Sequence, residues 1–384
     1  MRNERQGTAA EPRESAFGDA GIREAACADP ELLKELAERV YRYMTSGRYT
    51  EWGMDIEHWD WVPGVGLIAI AEYGIGQEDE SAIRYVEQWV ERNRHKAASA
   101  QTVNAMAPFA VYPELYRRMG RQELPSEAGR IAAWMLDEAP RTREGAFEHT
   151  VTEPASFPEQ AWADTVFMAA LFLARYARLT GDRRVAEEAM RQTLLHLRLL
   201  QDERTGALFH GWDCGAADHL SAALWCRANA WMACAVPEIV AELRELVPAP
   251  VELLERYVRM AEGLRALQTE GGLWHTVMDR PDFYKESSGS AGIACGFMKA
   301  VRGGLLPGEF LASAALAVKG LLPLVTPEGE VKGVSGGTPV MPSVVAYNTI
   351  PRYPTLYGQG LTLMLLTEAA AGASKPSTER SANR

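Results

Sequence analysis

The chain has 384 residues, 47% of them hydrophobic and 24% charged, and a formal net charge of −11. That length carries one large domain or two ordinary ones, and the balance is that of a soluble globular protein. The acidic sum, with no basic run or basic-aromatic stripe, argues against a nucleic-acid partner, and an acidic ligand would have to be met by local cations. No stretch reaches 18 uninterrupted apolar residues, so neither a transmembrane helix nor a membrane partner is expected. Five scattered cysteines (Cys27, Cys214, Cys226, Cys234, Cys295) form no CxxC. Together with a polar lead from Met1 to Ser15 they predict reduced thiols and a cytoplasmic location. Oligomeric state is not encoded in any pattern.

Residues 1–28 read as a flexible segment, rich in Glu, Arg, Gly and Ala. Asp29-Pro30-Glu31 starts a helix by the cap and Pro-at-N1 rule, running to about Thr45. An aromatic loop follows, Trp52 to Trp61, whose tryptophans suit core packing or sugar stacking equally. Helical patterns are predicted at 62–75, 80–95 and 101–119, then to about Asp137. Residues 138–158 lack periodicity. Ser156-Phe157-Pro158-Glu159 has the form of a capping box, predicting a helix over 156–180. Further helices are expected at 183–200, 219–235, 250–266, 288–303, 308–320 and 358–371, and a disordered tail over 372–384. The sum is about twelve helices, no convincing period-2 strands and no linker, hence a single all-α domain over 29–371. An even number of similar helices suggests stacked hairpins, closed into a toroid or left as an open solenoid.

The stretch Gln160-Ala161-Trp162-Ala163-Asp164 opens a nearly all-apolar run. On the predicted helix Asp164 lies two turns inside, with Gln160, Met168 and Leu171 on its face. A carboxylate there is hydrogen-bonded, paired or functional, because an unpaired buried charge costs several kcal/mol. A structural aspartate bonded to a neighbouring loop is the alternative. The long loops hold Trp59, Trp61, Arg141, His149, His210, Trp212, Asp213, Trp274, His275 and Tyr357, a mixture of flat rings and polar groups that a carbohydrate site requires. Arg227, flanked by Trp225 and Trp231, is either a grip for a planar carboxylate or an arginine tied to loop carbonyls between core tryptophans. No His pair stands at metal spacing, no phosphate loop is complete and no GxSxG elbow exists, so neither metal nor cofactor is expected.

Taken in order, Pro140-Arg141-Thr142 with His149, Gln160 to Asp164 with Met168, His210-Gly211-Trp212-Asp213 and Trp225 to Trp231 resemble one family. Gly272-Leu273-Trp274-His275, Ser287 to Ala291, Gly333 to Pro339 and Tyr357-Gly358-Gln359-Gly360 continue the likeness. The family is the unsaturated rhamnogalacturonyl hydrolases of glycoside hydrolase family 105, related to the unsaturated glucuronyl hydrolases of family 88. The resemblance implies an (α/α)6 toroid and an oligosaccharide substrate, left by a polysaccharide lyase, that ends in a 4,5-unsaturated uronate. Water adds across its C4–C5 double bond, with the aspartate matching Asp164 as general acid and base. An apolar setting would raise the pKa of that carboxyl. Arg227, Trp225, Trp231, His210, His149, Met168 and Trp61 match substrate-binding positions. Asn104 stands where many members carry a second active-site aspartate, and an amide binds a hydroxyl but cannot act as a base. A conventional glycosidase or sugar epimerase on the same toroid, or a non-catalytic carbohydrate-binding protein, are the alternatives.

Overall fold

The computed structural model describes residues 29–47, 51–99 and 101–374. The expected flexible segment 1–28 and the tail beyond 374 lie outside the described residues. Among those described, twelve α-helices alternate between two layers. The outer layer holds α1 (Pro30–Met44), α3 (Glu80–Asn93), α5 (Glu123–Asp137), α7 (Arg183–Leu200), α9 (Val251–Ala266) and α11 (Phe310–Leu321). The inner layer holds α2 (Trp61–Gly76), α4 (Tyr112–Met119) with the 3-10 turn Asn104–Val111 before it, and α6 (Leu171–Thr180) with the π turn Val166–Ala170 before it. It is completed by α8 (Cys226–Leu243), α10 (Ser287–Arg302) and α12 (Leu356–Ser374).

Sequence pattern sorts the layers. In α1 the Asp29 side chain accepts from the Glu31 amide, and Leu33, Leu36, Ala37, Val40 and Met44 bury one stripe. In α7 Asp182 caps the amides of Arg184 and Val185. These helices are amphipathic and cover the core with one face. By contrast α2 is buried without interruption from Val62 to Ala71, and α8 from Cys226 to Pro237. A helix apolar all round belongs in the middle. The inner helices pack in sequence order around a ring, and α12 closes it against both α10 and α2. The result is the closed (α/α)6 toroid, not the open solenoid.

Four predicted helices differ in their bounds. Residues 156–159 are not helical: Gln160–Trp162 forms strand β1, paired antiparallel with β2 (Gly211–Asp213). The backbone of 160–162 is spent on that ladder, and the residue before Pro158 is pushed away from helical geometry. Asp164 is therefore at the start of its helix, not two turns inside it. The helix predicted at 219–235 runs instead from Cys226 to Leu243, continuing through Pro237, which local rules take as a stop. The segment 101–119 is a 3-10 turn followed by α4. The last helix extends to Ser374, past the expected start of the tail. Four strands of two or three residues, β1 and β2 with β3 (Trp274–His275) and β4 (Lys285–Glu286), were too short for a period to reveal. No helix among the described residues is long and apolar enough to cross a membrane.

Candidate active site at the mouth of the toroid

Because inner and outer helices alternate, the inner helices run the same way and begin at one end. Their first turns carry Trp61, Asn104, Asp164, Trp225, Arg227 and Tyr357, so residues far apart in sequence converge there. The β1–β2 pairing does the finest positioning. The Ala163 amide donates to the His210 carbonyl at 3.1 Å, which sets Asp164 beside His210. The His149 amide donates to the Gln160 carbonyl at 2.8 Å and brings a second imidazole alongside.

Asp164 keeps 15% of its side chain exposed, and its Oδ2 lies 3.3 Å from His210 Nε2. Neither atom completes an aligned hydrogen bond. On the other side of the ring, His210 Nδ1 is 2.7 Å from the Tyr347 hydroxyl, which also accepts from the Met341 amide at 3.2 Å. A tyrosine proton donated to Nδ1 leaves Nε2 carrying the ring hydrogen that faces Asp164. His149 stacks on Trp162 with centroids 4.1 Å apart, and its Nδ1 is 3.2 Å from Thr165 Oγ1. The π turn directly after Thr165 is a geometry that recurs at functional sites.

A continuous train of rings extends from here. Trp225 packs on His210 at 4.3 Å, Arg227 lies over Trp225 at 4.4 Å and over Tyr357 at 4.6 Å, and Tyr357 stacks on Trp61 at 4.9 Å. Trp61 meets Trp231 edge-on at 6.5 Å, and Trp231 meets Phe167 at 5.0 Å, beside buried Met168. Arg227 is 1% exposed and donates to the carbonyls of Ser335 (2.6 Å) and Gly336 (2.8 Å). Of the two local readings, the arginine tied to loop carbonyls between aromatic rings is the arrangement present, so its charge acts through the pocket wall. Asn104 is 6% exposed, and its backbone N–H donates to the Thr150 carbonyl at 3.2 Å. Trp59, by contrast, is core: it stacks on Trp89 and donates to the Ala105 carbonyl.

Electrostatics corrects one expectation. Burial pushes the Asp164 carboxyl up, but His210, His149 and Arg227 together hold it below the ordinary carboxylate range, not above it. Burial drives His149 down to about 4 and also lowers His210, against the pull of Asp164. Both rings are therefore neutral near pH 7. Buried polar atoms without partners gather here: Asp164 Oδ2, His210 Nε2, and the indole nitrogens of Trp225 and Trp231.

Other loop residues are structural. Arg141 pairs with Glu188 at 2.6 Å, Trp274 donates to the Leu264 carbonyl, His275 bonds the Phe283 carbonyl, and Asp213 caps the amides of Gly215 and Ala216. Glu144, Glu159 and Cys214 bring their ligand atoms within 4.8 Å of one another on the outer loops, a grouping that a search for histidine pairs does not find. Tyr347 carried no sequence signal, since it lies in a long irregular loop with neither motif nor periodicity around it. Glu286 was equally silent. Its buried carboxylate accepts from Ser288, Gly289 and the Ser335 amide, and pins the 333–337 loop that receives Arg227.

Comparison with known proteins agrees with the architecture. A crystal structure described as a possible member of the GH105 family from Salmonella enterica superposes with a TM-score of 0.85 at 29% identity, covering 90% of this chain and 95% of that one. The unsaturated rhamnogalacturonyl hydrolase YesR of Bacillus subtilis (strain 168) is 34% identical over 314 residues, 81% of this chain and 89% of that protein. An unsaturated 3S-rhamnoglycuronyl hydrolase of Alteromonas sp. (strain LOR) is 25% identical over 71% of this chain and 70% of its own length. The molecule is thus a glycoside hydrolase built on an (α/α)6 toroid. Residues 33–371 match the model of Glycosyl Hydrolase Family 88, and the chain belongs to that family.

Proposed function

We propose that the protein adds water across the C4–C5 double bond of a terminal 4,5-unsaturated uronate in lyase-generated oligosaccharides, with Asp164 as proton donor and then base. The observation that carries this reading is the Asp164 carboxylate at the toroid mouth, 3.3 Å from His210 Nε2, with hydrogen-bonding capacity on both atoms uncommitted. The double bond is an enol ether. A proton from the Asp164 carboxyl goes to C4, and the ring oxygen stabilises the cation at C5. Water adds to C5 while Asp164 takes a proton back, so the carboxyl ends as it began. The C5 hemiketal then opens to a ketone, and the hemiacetal left at C1 collapses to an aldehyde and the free alcohol of the next sugar. One water is consumed and no second carboxylate is needed, which suits Asn104 at its position.

The free carboxyl is held ionised by its neighbours, so the substrate supplies part of the activation. An incoming uronate brings negative charge against the field of Arg227 and displaces water, and both changes raise the Asp164 pKa. His149 and His210, with Trp61, Met168, Trp225 and Trp231, form the wall that orients the ring. The buried free thiols Cys214, Cys226, Cys234 and Cys295 suit a cytoplasmic site of action.

The test follows ultraviolet absorbance of the conjugated double bond in a panel of lyase products. Absorbance should decay with wild-type protein, and Asp164→Asn should lower the rate by at least ~100-fold while leaving circular dichroism unchanged. Persistent absorbance with rhamnogalacturonan, glucuronan and glycosaminoglycan products alike would sink the reading. Solvent deuterium retained at C4 of the product separates hydration from a conventional glycosidase or an epimerase.

A further inference from the structure

Packing fixes the His210 ring and leaves the position of its proton as the remaining freedom. The imidazole is 1% exposed, lies 4.3 Å from Trp225 and 5.4 Å from Trp162, and its backbone is tied to the Ala223 carbonyl and the Ala163 amide. Burial outweighs the pull of Asp164 and keeps the ring neutral. A neutral imidazole carries its proton on Nδ1 or on Nε2, and the other nitrogen offers a lone pair. Asp164 Oδ2, 3.3 Å from Nε2, therefore meets either a donor or a lone pair.

The far side of the ring decides between them. Tyr347 is fully buried on the 3-10 turn Val345–Thr349, and its hydroxyl lies 2.7 Å from Nδ1. A hydroxyl has one proton to give and two lone pairs to receive. The Met341 amide, which can only donate, takes one lone pair at 3.2 Å. The Ser221 hydroxyl, whose buried oxygen has no aligned partner elsewhere, lies beside it as a second donor. Burial pushes Tyr347 up to about 12, so the phenol keeps its proton at neutral pH. With donors on its oxygen, the tyrosine gives that proton to Nδ1, and the imidazole proton goes to Nε2. The other tautomer would set the Nε2 lone pair against the Asp164 carboxylate and a third donor on the phenol oxygen.

We propose that Tyr347 is a positioning residue for the reaction: it holds the His210 ring proton on Nε2, where that N–H steadies the Asp164 carboxylate as its proton leaves for C4. The inference rests on the hydration reading and deepens it, because it assigns a role to a residue that touches no reacting atom. As the proton moves to C4, negative charge grows on Asp164, and the Nε2–H bond, long in the free enzyme, tightens with it. When Asp164 takes a proton from water the bond relaxes, so neither His210 nor Tyr347 gains or loses a proton over the cycle. An interaction stronger in the transition state than in the ground state acts on kcat rather than on KM.

The experiment reads the tautomer directly, by nitrogen NMR of protein isotopically labelled in histidine, with the His210 signals assigned by their loss in His210→Gln. Wild-type protein should show Nε2 protonated and Nδ1 bare. Tyr347→Phe should move part of the proton to Nδ1 and lower kcat by ~10-fold or more, with KM changed by less than about twofold. In a His210→Gln background the same Tyr347→Phe change should cost less than about twofold further, since a residue that acts through His210 has nothing left to position. A proton on Nδ1 in the wild type overturns the proposal. So does an unchanged tautomer or an unchanged kcat in Tyr347→Phe, or an equal loss in both backgrounds, which is the mark of a merely structural tyrosine. Should Tyr347→Phe fail to fold, the wild-type spectrum decides alone: Nε2–H with Nδ1 accepting upholds the proposal, and Nδ1–H overturns it. If no lyase product is turned over, the hydration reading fails, and the two spectra still decide whether Tyr347 sets the tautomer.

Discussion

Asp164, proposed above as the acid, is held by its surroundings in the base form. Its carboxyl lies below the usual range because His210, His149 and Arg227 outweigh burial. The sign of the pH dependence follows. On the proposed mechanism the productive free enzyme carries the proton on Asp164, and above its pKa that fraction falls tenfold for each unit of pH. kcat/KM should therefore decline as pH rises through neutrality, approaching a slope of −1, while kcat, which reports the substrate complex, should turn at a higher pH. A kcat/KM profile flat from pH 5 to 8 would exclude Asp164 as the acid. At this scale the sequence singled out a carboxylate opening an apolar run, which the structure brings together with His210 and Arg227. It was silent on Tyr347, and it gave the wrong sign for the pKa. Burial was legible from apolar neighbours, but the two imidazoles that counter it arrive from 15 residues upstream and 46 downstream of Asp164.

Helix pairing depends on small residues that no amphipathic pattern advertises. Gly289, Gly292 and Gly296 lie on one stripe of α10, and each meets α8 closely. An added Cβ would reach 2.4 Å from Cys226 Sγ, 2.7 Å from the Ala230 Cβ and 2.2 Å from the Ala233 carbonyl oxygen. The two inner helices approach so nearly that their backbones share the contact. Gly292→Ala meets a methyl group that has some room to shift and should cost ~1–3 kcal/mol in urea unfolding. Gly296→Ala meets backbone and should cost more than Gly292→Ala in the same titration. Equal, small effects at both positions would show the stripe to be loosely packed. Asp29 and Pro30 made the start of α1 legible, because capping is a local transaction. The start of α6 was not, since its competitor was the pairing of β1 with a strand some 50 residues further on.

Across the whole molecule the two ends of the toroid are chemically distinct. The mouth gathers the first turns of the inner helices, whose dipoles point positive ends at the site and favour a negative group there despite a net charge of −11. The opposite end is held by four charges from four inner helices, Lys299 buried and the other three half-buried. Glu72 of α2 accepts from Arg175 of α6 at 2.9 Å and from Lys299 of α10 at 2.8 Å. Glu238 of α8 accepts from the same two residues, Lys299 at 2.9 Å and Arg175 Nε at 2.7 Å. Burial works against the Glu238 carboxylate, but Arg175 and Lys299 bring it down to about 2. Lys299→Met leaves two half-buried carboxylates with one cation between them and should destabilise the protein by up to ~3–5 kcal/mol. The denaturation midpoint in urea at pH 7 measures it, and a loss below ~1 kcal/mol would show that the pairs merely offset their own desolvation.

The sequence alone determined the all-α class, the number of helices, most of their boundaries and the candidacy of Asp164, because periodicity, caps and motif order are local properties of the chain. Only the tertiary structure decided the rest. Ring closure depends on α12 meeting α1 and α2 across more than 280 residues. The π turn and the β1–β2 pairing put Asp164 at a helix start, and Arg227 became a wall charge once Glu286 pinned the loop that receives it. Each of these outcomes depends on partners distant in sequence, and the free energy of such contacts is invisible to any local window.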